Sequence, residues 1–192
     1  VLMGQGGPLL NYEPTLAAVR LLADPEGIGI SLRKIALSTS GIVPGIRRLA
    51  SEARRPKLAV SLSATTDEQR QAIMPLNRKY PLGELLAACR DYPLRPWERL
   101  TFEYVLLGGF NDTTEDARRL VELLHGLRAK VNLIPWNPVP GLAYRAPALA
   151  DVDAFQEILM RAGRLAFIRR SRGQDVYAAC GQLATLEPTP VK

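Results

Sequence analysis

The chain is poor in the side chains on which many small enzymes depend. Its 192 residues include two cysteines, Cys89 and Cys180, and one histidine, His125. Two cysteines cannot build a disulfide framework, and neither has a neighbour at the C-x-x-C spacing of a zinc or redox pair, so a reducing cytoplasmic setting is expected. With one histidine a His-rich metal site is excluded, and Ser-His-Asp or Cys-His catalysis would rest on His125 alone. His125 stands before Gly126, a helix-ending residue, and reads as a capping or surface side chain. Long apolar runs are missing as well. Runs such as Val105-Leu106-Leu107 fall far short of the roughly 20 residues that span a bilayer, and no basic segment with an apolar core opens the chain.

What remains is a balanced composition: 47% hydrophobic residues and 25 Lys+Arg against 19 Asp+Glu, a formal charge of +6. A chain of this length can bury roughly 70% of the surface it exposes when unfolded, enough for one globular domain without disulfides. That domain is expected over residues 1–184, with a frayed tail over 185–192 that carries Pro188 and Pro190, and as a monomer. The sequence begins at Val1, and Val1-Leu2-Met3-Gly4 already reads as the end of a buried strand, so an N-terminal truncation is expected.

Short apolar runs alternate with longer amphipathic ones, the pattern of repeated βα units on a parallel sheet. The strand-like runs are 1–4, 34–38, 57–62, 101–107, 130–135 and 165–169. One helix is predicted to start at Pro14, a favoured first-turn position, and to bury Leu16, Val19 and Leu22 or Ala23. A second opens with a capping-box-like Asp112 and Glu115 and presents Ala117, Leu120, Leu124 and Leu127 on one face. A third carries Val152, Phe155, Leu159 and Ala162 and stops at Gly163; weaker ones cover 44–52 and 82–90. This order allows an open doubly wound sheet or a (β/α) barrel. The barrel is favoured because the runs end in small polar or charged residues, Ser38-Thr39-Ser40, Ser61, Ser63, Asn137 and Arg169-Arg170-Ser171-Arg172, where barrels place their ligands. Pro135 to Gly141 reads as a rigid loop over that end.

Single motifs are weak. Gly4-Gln5-Gly6-Gly7-Pro8 could let a backbone approach a ligand, but it lacks the spacing of a dinucleotide loop, and Pro8 removes an N–H. Asn137, between prolines, could serve a turn or a ligand. The basic pairs Arg47-Arg48, Arg54-Arg55 and Arg78-Lys79 fit a polyanion partner but read first as solvated helix faces, whereas Arg169-Arg170 with Arg172, at a strand C-terminus, reads more sharply as a phosphate site; no RRM-type signature is present. Cys180, flanked by Ala178, Ala179 and Gly181, is sterically open and lies downstream of the Arg169 cluster, as a reactive thiol would; a buried inert thiol is the alternative. Cys89, on an apolar helical pattern, reads as core.

Taken in order, several segments resemble one family. They are Gly6-Gly7-Pro8-Leu9-Leu10-Asn11, Ser38-Thr39-Ser40-Gly41, Ile73-Met74-Pro75, Phe102-Glu103-Tyr104, Asn111-Asp112, Val131 through Pro138, and Arg172 through Asp175 followed by Ala178 through Leu183. This order is similar to the C-terminal half of the radical SAM adenine-C2 RNA methyltransferases, the RlmN/Cfr type, over about Val1 to Ala184. The resemblance implies a partial (β/α) barrel of radical SAM type whose first βα unit is missing. It implies S-adenosylmethionine held by Gly6, Gly7, Ser38, Ser61, Leu62, Ser63 and Asn137, with Cys180 as the catalytic residue.

C2 of adenine is electron-poor and cannot displace a sulfonium methyl as an ordinary nucleophile, so a radical route is needed. In the family, a cysteine matching Cys180 takes a methyl group from one S-adenosylmethionine by polar displacement. A second S-adenosylmethionine is cleaved reductively at an iron–sulfur cluster. The adenosyl radical removes hydrogen from the methylated thiol, the methylene radical adds to C2, and a second cysteine resolves the crosslink. The cluster ligands, the resolving cysteine and a basic glutamate would lie upstream of Val1. The partners implied are ribosomal RNA, transfer RNA and an electron donor, and Arg169, Arg170 and Arg172 are candidates for RNA phosphates. The sequence departs from the family at Gly7, where Glu is usual, at Gln5 for Met, and at Ser63 for His. A carboxylate lost at position 7 would weaken the cofactor about ten- to hundredfold, and this chain alone is not expected to carry out the radical step. A noncatalytic RNA-binding remnant of the same fold is the main alternative, and an unrelated small-molecule barrel enzyme the third.

Overall fold

The structure is a computed structural model that describes residues 1–3, 7–138 and 141–169. Five strands form one sheet: β1 (Ala36–Thr39), β2 (Lys57–Ser61), β3 (Leu100–Leu106), β4 (Ala129–Pro135) and β5 (Leu165–Ile168). They pair in parallel in sequence order, β1-β2-β3-β4-β5. This order separates the two architectures the sequence left open: a doubly wound sheet reverses direction at a switch point, whereas a barrel wall adds each strand beside the last. The predicted strand at 1–4 is reduced to a bridge. Leu2 sits beside Leu37, donating to the Ala36 carbonyl (2.7 Å) and accepting from Ser38 N (3.1 Å).

The helices are α1 (Tyr12–Leu22), α2 (Val43–Ala50), α3 (Asp67–Ile73), α4 (Leu82–Arg90), α5 (Thr114–Leu123) and α6 (Leu149–Arg161), with 3-10 turns at Leu32–Lys34 and Pro75–Arg78. Alternate strand residues face them and fill the core: Leu37, Leu58 and Val60, then Leu100, Phe102, Tyr104 and Leu106, then Val131 and Leu133. Onto that face pack Leu16 and Val19 of α1, Ile46 and Leu49 of α2, Leu85, Leu86 and Cys89 of α4, Ala117 and Leu120 of α5, and Phe155 and Leu159 of α6. Cys89 is therefore core, as read from sequence, and burial pushes its thiol up to about 12. His125 is exposed beyond the end of α5.

Three helix details differ from expectation. Pro14 is the third residue of α1, which also buries Tyr12, while Leu22 and Ala23 are only half-buried. The cap of α5 is Thr113, whose side chain accepts from Asp116 N while the Asp116 carboxylate accepts from Thr113 N. Asp112 is occupied one turn earlier, accepting from Gly109 N at 2.8 Å, and so cannot cap. Ala162 is the exposed C-cap of α6.

Asp116 also joins two loops. It accepts from Thr65 Oγ1 (2.9 Å), Gln69 Nε2 (2.9 Å), Thr113 and Arg119. Burial alone pushes its carboxyl up, but these donors together hold it below the ordinary carboxylate range. The stability it supplies is therefore complete above pH about 4 and is lost as pH falls below that toward the folded-state value. Asp116→Asn removes the charge and turns an NH2 toward existing donors, an expected cost of about 1.5–3 kcal/mol at neutral pH. Urea titrations at pH 7 and pH 3 should show the gap between wild type and variant narrowing in acid. A gap equal at both pH values would contradict this role.

Candidate functional site

The C-terminal edge of the sheet is held together by one buried cation. Arg70, fully buried on α3, donates to the carbonyls of Ser40 (2.6 Å), Ser61 (3.3 Å) and Leu62 (3.2 Å) and to Asn77 Oδ1 (3.0 Å). It thus ties the end of β1 to the end of β2. Burial lowers its pKa, and the nearby Asp67 charge opposes that. Asp67 in turn accepts from Asn77 Nδ2 (2.8 Å) and Leu82 N (2.8 Å), so the guanidinium sits at the centre of a connected polar network. Gly41 follows β1 with φ +111°, and a Cβ there would lie 3.0 Å from the Arg70 guanidinium. Glycine at this turn is what lets the arginine pass.

A second clamp is Asn111, also fully buried. Its Oδ1 accepts from Leu107 N (2.7 Å), and its Nδ2 donates to the carbonyls of Ser63 (2.8 Å) and Val105 (2.8 Å). This fixes Ser63 in the left-handed region, φ +54°, where few non-glycine residues sit. The Ser63 hydroxyl accepts from Val105 N at 3.4 Å. Strain of this kind persists only where surrounding contacts over-determine it, and it recurs at ligand sites.

Of the residues singled out from sequence, the structure brings four onto this edge. Ser38 is half-buried on β1, Ser61 ends β2, Leu62 is fully buried with its N–H on the Glu103 carbonyl (2.9 Å), and Ser63 follows. Gly7 lies beside the start of α1, where its carbonyl accepts from Leu10 N (2.8 Å). It lines a groove of about 430 Å³ with Leu2, Met3, Pro8, Asn11, Pro14, Thr15 and Ala18. A Cβ at position 7 would meet only the flexible Leu10 side chain, at 3.3 Å, so space exists for the larger residue usual in the resembling family. Asn137 is half-buried just beyond β4. Its loop is pinned on both sides: Trp136 N donates to the Leu106 carbonyl (2.9 Å), Trp136 Nε1 to the Tyr144 carbonyl (3.2 Å), and Gly108 N to the Arg145 carbonyl (2.9 Å). Within the stretch read from sequence as a rigid loop these bonds hold Trp136; Val139 and Pro140 lie outside the described residues. So do Gly6, Arg170, Arg172, Cys180 and the tail at 185–192.

Sequence reasoning missed the acid of the site. Side chains of paired residues point to the same face, and the pairs Ser61↔Glu103 and Glu103↔Asn132 put all three in one row opposite the helices. Asn132 Nδ2 donates to Glu103 Oε1 at 2.9 Å. Burial raises the Glu103 carboxyl above its usual range, while the Asn132 amide, Arg169 and Lys130 pull it the other way. The signal was present in the sequence as a charged residue inside an otherwise apolar parallel strand. Among the described residues no cluster of His, Cys, Asp and Glu could hold a metal, and no helix is long and apolar enough to cross a membrane.

No protein-family model matches the chain. Curated relatives do. It is 54% identical over 184 residues to the dual-specificity RNA methyltransferase RlmN of Anaeromyxobacter dehalogenans, covering 96% of this chain and 49% of that protein. It is also 54% identical over 183 residues to the RlmN of Syntrophobacter fumaroxidans, covering 95% and 53%. The crystal structure of a radical SAM methyltransferase from Sphaerobacter thermophilus superposes with a TM-score of 0.89 at 49% identity, over 94% of this chain and 53% of that one. The chain corresponds to about half of an RlmN-type radical SAM methyltransferase. The fold alone is shared with a domain of pyruvate-formate lyase-activating enzyme from Bacteroides vulgatus, TM-score 0.64 at 17% identity. The partial radical SAM barrel expected from sequence is thus the observed architecture, and the chain spans about half the length of the RlmN relatives it matches.

Proposed function

We propose that this chain is the cofactor- and RNA-facing part of a methyltransferase that places a methyl-derived carbon on C2 of adenine in large-subunit ribosomal RNA and in transfer RNA. The observation that carries the reading is the polar row on the open face of the sheet, Ser61, Glu103 and Asn132, next to Ser38 and Ser63, in a fold matching a radical SAM methyltransferase.

S-adenosylmethionine is cationic and presents a ribose diol and an adenine, so hydroxyls, a carboxylate and a carboxamide on one face suit it chemically. Ser38, Ser61, Leu62 and Ser63 would hold it at the strand ends cross-linked by Arg70, with Gly6, Gly7 and Asn137 on the flanking loops. Bound S-adenosylmethionine supplies the methyl group and, after one-electron reduction, the radical. Cys180 would accept the methyl group on Sγ in exchange for its thiol proton, with S-adenosylhomocysteine as the other product. The described residues do not fit an iron–sulfur cluster, and a three-cysteine ligand set would have to be completed by residues other than Cys89 and Cys180. Reduction would need an electron donor. Gly7, which offers no carboxylate to the cofactor ammonium, favours the noncatalytic RNA-binding reading, and that reading predicts no measurable cofactor affinity.

The test uses the natural full-length protein with S-adenosylmethionine, a low-potential reductant and a ribosomal RNA fragment. Mass spectrometry of the nucleosides should show a methyl group on C2 of adenine. RNA recovered unmodified, or modified on another base, would overturn the proposal.

A further inference from the structure

The opposite edge of the sheet, where the strands begin, carries a different chemistry. Every strand is entered past arginine: Arg33 before β1, Arg54 and Arg55 before β2, Arg95 and Arg99 before β3, Arg128 before β4 and Arg164 before β5. Arg55 and Arg95 share the single carboxylate of the buried Glu98, at 4.0 and 3.6 Å. The other five make no ion pair among the described residues. Part of their work is structural. Arg54 donates to the Ala23 carbonyl (3.2 Å) at the end of α1, and Arg128 to the carbonyls of Leu94, Arg95 and Pro96. A helix C-terminus offers only about half a negative charge, however, so a full guanidinium placed there leaves positive charge over.

That excess is concentrated in one groove of about 350 Å³ beside the starts of β1 and β3, lined among others by Ser31, Arg33, Arg54, Arg95 and Trp97 and by no acidic residue. The Arg33 guanidinium lies 4.7 Å from the centre of the Trp97 ring, and that of Arg95 lies 5.6 Å away. Trp97 remains 37% exposed. The acids beside the groove are Glu98, buried behind Arg95, and Asp24 and Glu26 of the bounding turn, where Asp24 accepts from Glu26 N (3.0 Å). A planar aromatic, a planar guanidinium held over it and a further arginine within one concavity match a nucleotide: a base stacks on the planes and a phosphate takes the fork. An acidic peptide would use the charge and leave the indole without a role.

We infer that the Arg33–Arg54–Trp97 groove is a second RNA-binding site, taking unpaired nucleotides of the RNA at the end of the sheet remote from the cofactor edge. The inference rests on the reading of RNA as substrate. The seven residues of β3 put roughly 23 Å between the two ends, so an RNA engaged at both would wrap around the domain.

The test is fluorescence-anisotropy binding of a single-stranded oligoribonucleotide of unrelated sequence to this chain, over a range of salt. Arg33→Gln with Arg54→Gln is compared with Arg118→Gln and Arg161→Gln on exposed helix faces; each pair lowers the net charge equally, from +6 to 6 − 2 = +4. Circular dichroism melting confirms that both pairs fold. The groove pair should weaken binding and lower the slope of log K against log salt by about 1.4, at about 0.7 per phosphate on a single strand, and the control pair by much less. RNA should quench Trp97, and Trp97→Phe should remove that quenching. Equal effects of the two pairs, absence of RNA binding, or equal displacement by polyglutamate would overturn the inference. None of these outcomes bears on adenine methylation, which the mass-spectrometric test judges separately.

Discussion

Arg70→Met is expected to lower stability by about 2–4 kcal/mol, a fall in melting temperature of roughly 5–15 °C for a chain of this size. Two effects compete. Removing a buried cation with no carboxylate in contact recovers its desolvation cost, and methionine fills much of the same volume. Against that, the carbonyls of Ser40, Ser61 and Leu62 and Asn77 Oδ1 all lose their guanidinium donor, the last two in buried bonds and the first two in part-buried ones. Each unmade buried hydrogen bond costs about 1–3 kcal/mol, so the four losses together outweigh the recovered term even after partial relaxation. Arg70→Lys should recover little, because one ammonium cannot reach four acceptors spread over two strand ends. The same substitution should loosen Ser61 and Leu62 and weaken S-adenosylmethionine binding beyond what lost stability explains. Calorimetric melting with cofactor titration below the transition checks both; an unchanged melting temperature would mean that the clamp carries no energy.

The contrast between Arg70 and its surroundings shows what the sequence could reveal. Strands β2, β3, β4 and β5 and helices α1, α5 and α6 announce themselves by apolar runs or a buried stripe of period 3.6, and their observed ranges lie within a few residues of expectation. Helix α3 has no such stripe. Its seven residues, Asp67-Glu68-Gln69-Arg70-Gln71-Ala72-Ile73, bury an arginine rather than a leucine, and its start is fixed by Thr66, whose side chain accepts from Gln69 N. A polar residue buried by its hydrogen bonds looks in sequence like a solvated one. The capping box of α5 was displaced by one residue for a related reason: Asp112 and Thr113 are both competent caps, and only the loop geometry assigns Asp112 to Gly109. Serines at strand ends were legible because small polar residues interrupt apolar runs there. Glu103 stands out only as a charged residue inside an apolar run, and its pairing with Asn132 depends on the register between two strands, which no single run contains.

Cys180→Ala in the full-length protein is expected to abolish adenine methylation while leaving cofactor binding intact. The chain holds two sulfur nucleophiles that could accept a methyl group by displacement, and they differ in kind. Cys89 is packed on α4 within the core, 1% exposed, and its thiol is pushed up to about 12. At pH 7 that thiol stays protonated, and no cofactor could approach it without unfolding the helix. On the proposed mechanism Cys89 is thereby ruled out as the methyl acceptor, which leaves Cys180, flanked in sequence by Ala179 and Gly181. Incubation with S-adenosylmethionine alone should leave a methyl thioether on the peptide containing Cys180 and none on the peptide containing Cys89, read by tandem mass spectrometry. Cys89→Ala should cost about 1 kcal/mol of stability through lost packing and leave the methylation product unchanged. If Cys180→Ala still methylated adenine C2, the methyl group would have to travel by a route that bypasses this thiol. If Cys89 carried the thioether instead, the core assignment of α4 would have to be abandoned with it.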